Sequence, residues 1–373
     1  MADRVAVIGA GVVGSAVALA LARRGADVIV LEAEEEPGLA ASGTNSGILH
    51  TGFDSVPGEL ETELMLRAGE LREPVLEALG LPVLRCGAEM RAGDPAQRSA
   101  VAGLADNAVR NGIPARLTDD GVLEVPGEAV TDPVRFTLAL AEAAARHGAE
   151  VRTSFEVEAI DDDGGTLIVS GPGDDQVACA VAVNCAGLGA GRVARMVGDA
   201  SFEIYPRKGE FLVFDPAAPL DRILLPVPTK RTKGVLVFPT IDGKVVAGPT
   251  AVDQDDAGDW TVRPEAHDEI LAKAAAMYPP LRGAEPAFAY AGLRPAGRDS
   301  NYVIGPARAD GRVISVAAIR STGLSASLGI AERVAGLVGD AGIELGIEKA
   351  LISAPAPEAS GPWWRRTAEY QTA

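Results

Sequence analysis

Cysteine and histidine are both scarce in this chain of 373 residues, three of each, and neither set has a spacing that bridges or binds. Cys86, Cys179 and Cys185 are odd in number and form no CxxC pair. Two of them lie in alanine- and valine-rich sequence, which marks reduced core residues rather than a disulfide framework. His50, His147 and His267 are scattered and no HExxH occurs, which excludes the common zinc sites. Positive charge is in deficit as well. With 34 Lys and Arg against 52 Asp and Glu the formal charge is -18, which argues against a general nucleic-acid binder, since such proteins hold phosphate with a cationic surplus. No apolar run approaches the roughly 20 residues of a membrane span. Strand-like sequence starts at Arg4, leaving no room for a signal peptide, so a cytoplasmic protein is expected. No internal repeat is present.

What the chain does have is length and apolar content enough for about two domains, with 47% hydrophobic and 23% charged residues. "RVAVI" at 4–8 reads as a short buried strand. "GAGVVGSAVALALARRGA" then has helical spacing until Gly25, and "DVIVLE" at 27–32 is the next strand. Strand, helix and strand in about 30 residues is the size of a right-handed parallel crossover. Helices are expected over 59–79, interrupted near Pro74, over 95–111, and over 132–148, where Asp132 and Pro133 start the helix and Gly148 ends it. Strands are expected at 153–160 and 166–170, joined by "DDDGG" as a hairpin turn. "VACAVAVNCAGLGAGRVARMVG" repeats the opening theme. Residues 202–249 are strand-rich with turns at "PAAPLD", "PVPT" and "IDG", as in a separate antiparallel sheet, and "VISVAAI" at 313–319 enters the helical "RSTGLSASLGIAERVAGLVG".

Gly9, Gly11 and Gly14 form GxGxxG directly after a strand and at the opening of a helix, and Glu32 closes the second strand 18 residues after Gly14. The first glycine permits the tight turn, the second lets backbone approach a pyrophosphate, and the third brings helix and strand together. The helix N-terminus meets the phosphate charge, and Glu32 can accept from ribose hydroxyls while repelling a 2'-phosphate. This is a dinucleotide site. The motif alone does not choose between FAD and NAD.

Segments beyond Glu32 make that choice. With "SGTNSGILHTGFD" at 42–54, "VAVNCAGLGA", "AGLRPAG" and "IRSTGLSASLGIA", the chain resembles the FAD-dependent D-amino-acid oxidase superfamily over roughly residues 3–340. "TNSGILHTG", "YPRKGEF" at 205–211 and "PVPTKRTKGVLVFPTIDGKVVAGPTA" at 226–251 look most like its hydroxy-substrate branch, the glycerol-3-phosphate dehydrogenases and L-2-hydroxyglutarate oxidases. The resemblance implies an α/β fold: a Rossmann-type FAD-binding domain with a central parallel sheet, plus a second α+β domain with a mainly antiparallel sheet. The expected boundaries are 1–80, 135–200 and 286–345 for the FAD-binding domain, 81–134 and 201–285 for the substrate domain, and 355–373 for a linker and tail.

Carried over by position, the resemblance implies that Gly9, Gly11, Gly14 and Glu32 bind the ADP half, that Ser42, Thr44 and Asn45 touch the pyrophosphate or flavin, and that Gly47 to His50 pass the ring. It places Val157 where backbone meets adenine, and Gly187 in a second nucleotide-facing turn. Ser321, Gly323, Leu324 and Ser325 fall in a helix start whose N–H groups can stabilise negative charge on reduced flavin, with Ser321, Thr322 and Ser325 able to cap the helix.

His50 is suited by its ordinary pKa to take a hydroxyl proton near neutrality, with a structural contact or a covalent flavin link as the alternatives. Arg294 stands where the superfamily holds an anionic substrate group, a task that suits a guanidinium fork. Arg320 is a cationic neighbour. Lys208, Lys230, Arg231 and Lys233 form a basic cluster able to draw a small anion into a cleft, although any one of them taken singly reads as a solvated loop charge. The expected activity is FAD-dependent oxidation of the alcohol carbon of a small anionic substrate, glycerol 3-phosphate or a 2-hydroxy acid. An amino-acid or amine oxidase is the alternative, and a non-catalytic FAD-binding module comes from a different class. Oxygen, a quinone and a protein carrier stay open as electron acceptor, as does self-association. Trp363 and Trp364, beside Arg365 and Arg366, leave the body of the protein, a second subunit and a membrane surface open as docking partners for the tail.

Overall fold

The first strand, Arg4–Ile8, sits third from one end of a six-stranded sheet whose order is Val303–Pro306, Val313–Ala317, Val181–Asn184, Arg4–Ile8, Asp27–Leu31 and Glu150–Arg152. Every neighbouring pair is parallel except the edge strand Val303–Pro306. These observations come from a computed structural model that describes residues 3–215, 218–229, 234–353, 355–358 and 361–373. The continuous apolar composition of these strands follows from burial on both faces. Val5, Val7, Val28 and Val30 pack with the helices Val12–Ala22, Leu60–Ala78, Pro133–Arg146 and Gly323–Asp340. The alternate residues Ala6, Ile8, Ile29 and Leu31 face a three-stranded antiparallel meander, Ala159–Asp163, Thr166–Ser170 and Gln176–Cys179. Asp132 caps its helix by accepting from the Arg135 N–H at 2.9 Å, and Pro133 occupies the first turn, as expected.

The second layer system is a nine-stranded sheet built around the long pair Ile204–Phe214 and Phe288–Gly297, which is antiparallel over ten residues. One face packs on the helix Pro95–Arg110 and the tail, the other on the helix Ala266–Met277. The observed architecture is the α/β class with one mainly parallel and one mainly antiparallel large sheet, plus two small three-stranded sheets among the described residues.

Four details depart from expectation. Phe288–Gly297 belongs to the antiparallel sheet rather than the FAD-binding domain, because its partner is Ile204–Phe214. The helix around Pro74 is continuous over Leu60–Ala78. Residues 153–158 are irregular and the strand begins at Ala159. Lys208 is no solvated cation: it is 1% exposed, with Nζ 2.7 Å from Asp259 Oδ2 and 3.0 Å from the Thr261 carbonyl. Lys230, Arg231 and Lys233 lie outside the described residues. Cys179 and Cys185 are buried free thiols, pushed up to about 11 and about 12 by loss of solvent, in keeping with reduced core residues.

The tail forms the helix Trp363–Thr372, and both tryptophans are buried against the body of the protein. Among the described residues no helix is long and apolar enough to cross a membrane.

Candidate active site

Two recesses share a wall. One, of about 580 Å³, runs past the carboxyl ends of the parallel strands and is lined by Gly9, Gly11, Glu32, Ser42, Asn45, Val157, Gly187, Arg320, Gly323 and Leu324. The other, of about 410 Å³, lies against the antiparallel sheet and is lined by Thr44, Asn45, Ser46, His50, Arg207, Phe211, Arg294, Arg320 and Ser321 among others. Ala41, Asn45 and Arg320 belong to both. A ligand in the first can therefore present one end to the second.

The first recess fits a dinucleotide. Gly9 has φ +100°, and a Cβ there would stand 2.6 Å from the Cys185 carbonyl oxygen. A Cβ at Gly14 would stand 1.9 Å from the Gly9 oxygen, so turn and helix can close only with both glycines. The helix Val12–Ala22 receives one side-chain partner at its start, Ser42 Oγ accepting from the Val12 N–H at 2.9 Å, and Gly11, Val12 and Val13 line the recess. Glu32 accepts from the N–H groups of Ala10 at 2.5 Å and Glu34 at 3.0 Å. Its burial nevertheless holds the carboxyl above the ordinary carboxylate range, so hydroxyl donors from a ribose would complete its shell.

A second helix start, at Gly323, also faces this recess. Ser321, Thr322 and Ser325 do not cap it, contrary to expectation. Thr322 Oγ1 instead donates to Glu61 at 2.7 Å and meets the Tyr302 hydroxyl at 2.9 Å, while Ser325 Oγ accepts from the His50 N–H at 2.8 Å and donates to the Ile48 carbonyl at 3.2 Å. The helix start thus carries no side-chain cap. Asn45 Oδ1 accepts from the Gly47 N–H at 3.0 Å. Thr44 is 4% exposed and packs on Gly292, where a Cβ would stand 2.6 Å from its Oγ1. Gly47 lines neither recess: at φ +75° its added Cβ would stand 2.3 Å from the Thr131 carbonyl, and its own carbonyl accepts from the Thr131 N–H at 2.8 Å. It closes the small sheet behind the site.

That small sheet creates the chemistry. Ile48–Leu49 pairs antiparallel with Ala129–Thr131, Ile48 opposite Val130 and Leu49 opposite Ala129, which brings Glu128 beside His50. His50 Nδ1 lies 2.9 Å from Glu128 Oε2, and Glu128 Oε1 accepts from the Thr51 N–H at 2.7 Å and the Thr51 hydroxyl at 2.8 Å. Glu128 is fully buried. A carboxylate that already accepts these donors favours, in a neutral imidazole, the tautomer that donates from Nδ1 and leaves the Nε2 lone pair free. Arg72, also buried, donates to the carbonyls of His50 at 3.0 Å and Ser325 at 3.1 Å. Burial pulls its guanidinium down, and the nearby Glu128 charge opposes that shift.

Across the cavity the pairing of the long strands sets Arg207 directly opposite Arg294. Like charges opposite one another destabilise a sheet unless something compensates them. Asp253 compensates Arg207, at 2.5 Å and 3.0 Å. Arg294 has no carboxylate partner among the described residues; its guanidinium is held by the carbonyls of Arg207 at 3.3 Å, Lys208 at 3.2 Å and Thr250 at 2.7 Å. Burial first, and Arg207 second, pull it down to about 10. Arg320 is steered by Asn301 at 3.1 Å and lies 3.7 Å from Glu61. Arg294 is thus positioned by three backbone carbonyls, half-buried, and without a carboxylate partner among the described residues. Glu128, Arg72 and Arg207 were not singled out as site residues from sequence.

The sequence profile of the FAD dependent oxidoreductase (DAO) family matches residues 4–337, and the chain belongs to that family. FAD is its cofactor and the residues of the first recess fit it. A glycerol 3-phosphate dehydrogenase of Caloramator mitchellensis is 31% identical over 344 residues, covering 87% of this chain and 71% of that protein. An L-2-hydroxyglutarate dehydrogenase of Escherichia coli is 24% identical over 266 residues, covering 66% of this chain and 63% of its own length. Among solved structures, an L-alpha-glycerophosphate oxidase from Mycoplasma pneumoniae with FAD bound has the same fold, with a TM-score of 0.88 at 23% identity, covering 96% of this chain and all of that one.

Proposed function

We propose that this FAD-dependent oxidoreductase oxidises the alcohol carbon of a small anionic substrate, glycerol 3-phosphate in the first place and a 2-hydroxy acid such as L-2-hydroxyglutarate in the second. The observation that carries this reading is that His50, backed by the buried Glu128, lines the same cavity as Arg294, which has no carboxylate partner among the described residues. Arg294 holds the anionic group with its remaining N–H donors, and Arg207 and Arg320 add positive potential on either side. His50 Nε2 takes the hydroxyl proton as the alcohol becomes a carbonyl. Glu128 fixes the ring's tautomer and stabilises the imidazolium that forms. FAD bound in the adjoining recess supplies the acceptor for the carbon-bound hydrogen and its two electrons. The uncapped helix start at Gly323 offers backbone N–H groups where negative charge would develop. The relatives named as acting on glycerol 3-phosphate and L-2-hydroxyglutarate support the same substrate class.

An anaerobic screen of the purified yellow enzyme tests this. Glycerol 3-phosphate or L-2-hydroxyglutarate should bleach the visible flavin absorbance. Bleaching by glycine, sarcosine or a D-amino acid and by no hydroxy substrate would assign an amine oxidase instead.

A further inference from the structure

The helix Trp363–Thr372 lies outside the residues matched by the family profile, yet it is built into the cofactor site. Two aromatic anchors hold it on the antiparallel sheet. Trp363, 2% exposed, meets Tyr290 edge-on at 6.0 Å, and Tyr290 stacks at 4.8 Å on Phe211 of the substrate cavity wall. Trp364 packs on Phe288 at 5.4 Å and its indole N–H donates to Asp242 at 3.2 Å.

Its other face meets the loop that joins Glu32 to Ser42. That loop has no strand or helix of its own, so its carbonyls need outside donors. The helix supplies them in sequence: Arg366 to the Pro37 carbonyl at 3.5 Å, Thr367 to that of Gly38 at 3.3 Å and Gln371 to that of Leu39 at 2.6 Å. Arg366 also pairs with Glu36, and the Tyr370 hydroxyl donates to Glu34 at 3.0 Å. The fit is tight enough that a Cβ on Gly43 would stand 1.9 Å from Thr367 Oγ1. Gln371 lines the dinucleotide recess beside Glu32 and Glu34. Its Nε2 is used on the loop, and its Oε1 has no partner among the described residues.

We propose that this helix is a clamp that holds the 33–43 loop in its FAD-binding shape, and that Gln371 Oε1 accepts from a hydroxyl or amino group on the adenosine half of FAD. The proposal rests on the cofactor assignment. An amide carbonyl among hydroxyl donors adds one hydrogen bond to those of Glu32. The carbonyl contacts fix the spacing between Glu32 and Ser42, which otherwise would have to be ordered at the moment of binding.

The test uses the FAD-loaded enzyme and two variants: one lacking residues 358–373, and the double substitution Tyr370→Phe with Gln371→Ala, which leaves the tryptophan anchors in place. FAD release is followed by the return of free-flavin fluorescence on dilution, and loop opening by cleavage with a glutamate-specific protease after Glu34 or Glu35. The clamp predicts FAD release at least 10-fold faster and a new cut in the shortened protein. For the double variant it predicts about 3- to 10-fold faster release, the range for losing one or two modest hydrogen bonds. Wild-type FAD release from the double variant overturns the proposal, even if the shortened chain fails to fold. A wild-type protein that takes up no FAD overturns the cofactor assignment, and the clamp with it.

Discussion

His50 and Glu128 are 78 positions apart in the chain and 2.9 Å apart in space, joined through a carboxylate buried completely beneath the cavity wall. The contact exists because a two-residue strand, Ile48–Leu49, pairs with Ala129–Thr131. In the proposed reaction Glu128 touches the base rather than the substrate, which makes it a positioning residue. Glu128→Gln keeps the volume and a hydrogen-bonding atom but removes the charge that favours imidazolium. We expect kcat to fall about 10²-fold with KM nearly unchanged. His50→Gln should lower kcat at least as far. A Glu128→Gln enzyme with wild-type kcat would reduce Glu128 to a packing contact.

Arg294 is half-buried with no carboxylate partner among the described residues, so in the proposed reaction its charge is better compensated in the substrate complex than in the free protein. Arg294→Met should raise KM about 10- to 100-fold while changing apo-protein stability by no more than about 1–2 kcal/mol, since relief of the Arg207 repulsion offsets part of the loss of donors to three carbonyls. Arg294→Lys, which keeps charge but not the fork, should fall between. Steady-state kinetics and thermal melts of the same preparations check both halves. A large loss of stability with unchanged KM would show that Arg294 serves the sheet and not the substrate.

The contrast between these two residues explains what was legible beforehand. The glycines of the dinucleotide turn and Glu32 fall within one local strand–helix–strand unit, where spacing alone imposes the geometry, so the recess could be read from residues 4–32. His50 and Arg294 were marked by their segments. Their partners were not, because Glu128 and Arg207 arrive through strand register, which no local pattern encodes. A buried glutamate in "VPGEAV", between two apolar runs, was the one signal available. Lys208 misled for a related reason: its charge suggests solvent, while its place on a long central strand puts it inside. Ser325 and Thr322 had capping chemistry, but neighbouring elements offered their hydroxyls other partners.

Lys208 gives a stability prediction that also touches the site, since its carbonyl helps hold Arg294. The Lys208 ammonium, then the Thr261 hydroxyl and N–H, hold Asp259 down at about 2. A depressed carboxylate stabilises the fold above its unfolded pKa of about 3.9, and that contribution is lost as pH falls toward 2. Asp259→Asn should therefore cost about 1–3 kcal/mol at pH 7, with the lower end reflecting the aspartate's own exposure, and much less near pH 2. Urea unfolding at the two pH values decides it. An equal cost at both would mean that the lost contact is not electrostatic.

Glu32 has the opposite sign. Burial raises its carboxyl above the ordinary range, against the lowering effect of the Glu34 and Ala10 N–H groups. Without FAD the folded state binds this proton more tightly than the unfolded state. Its contribution to stability is full below the unfolded pKa and declines as pH rises through the folded value. Ribose hydroxyls donating to the ionised carboxylate relieve that penalty, so the rise in Tm produced by FAD should be greater near pH 7 than near about pH 4.5. Glu32→Gln should bind FAD more weakly at pH 7 and flatten the difference between the two pH values. Melts of apo and FAD-loaded protein measure it directly. An FAD shift of the same size at both pH values, in wild type and variant alike, would remove Glu32 from the ribose and leave the glycine turn and the helix starts to hold the cofactor.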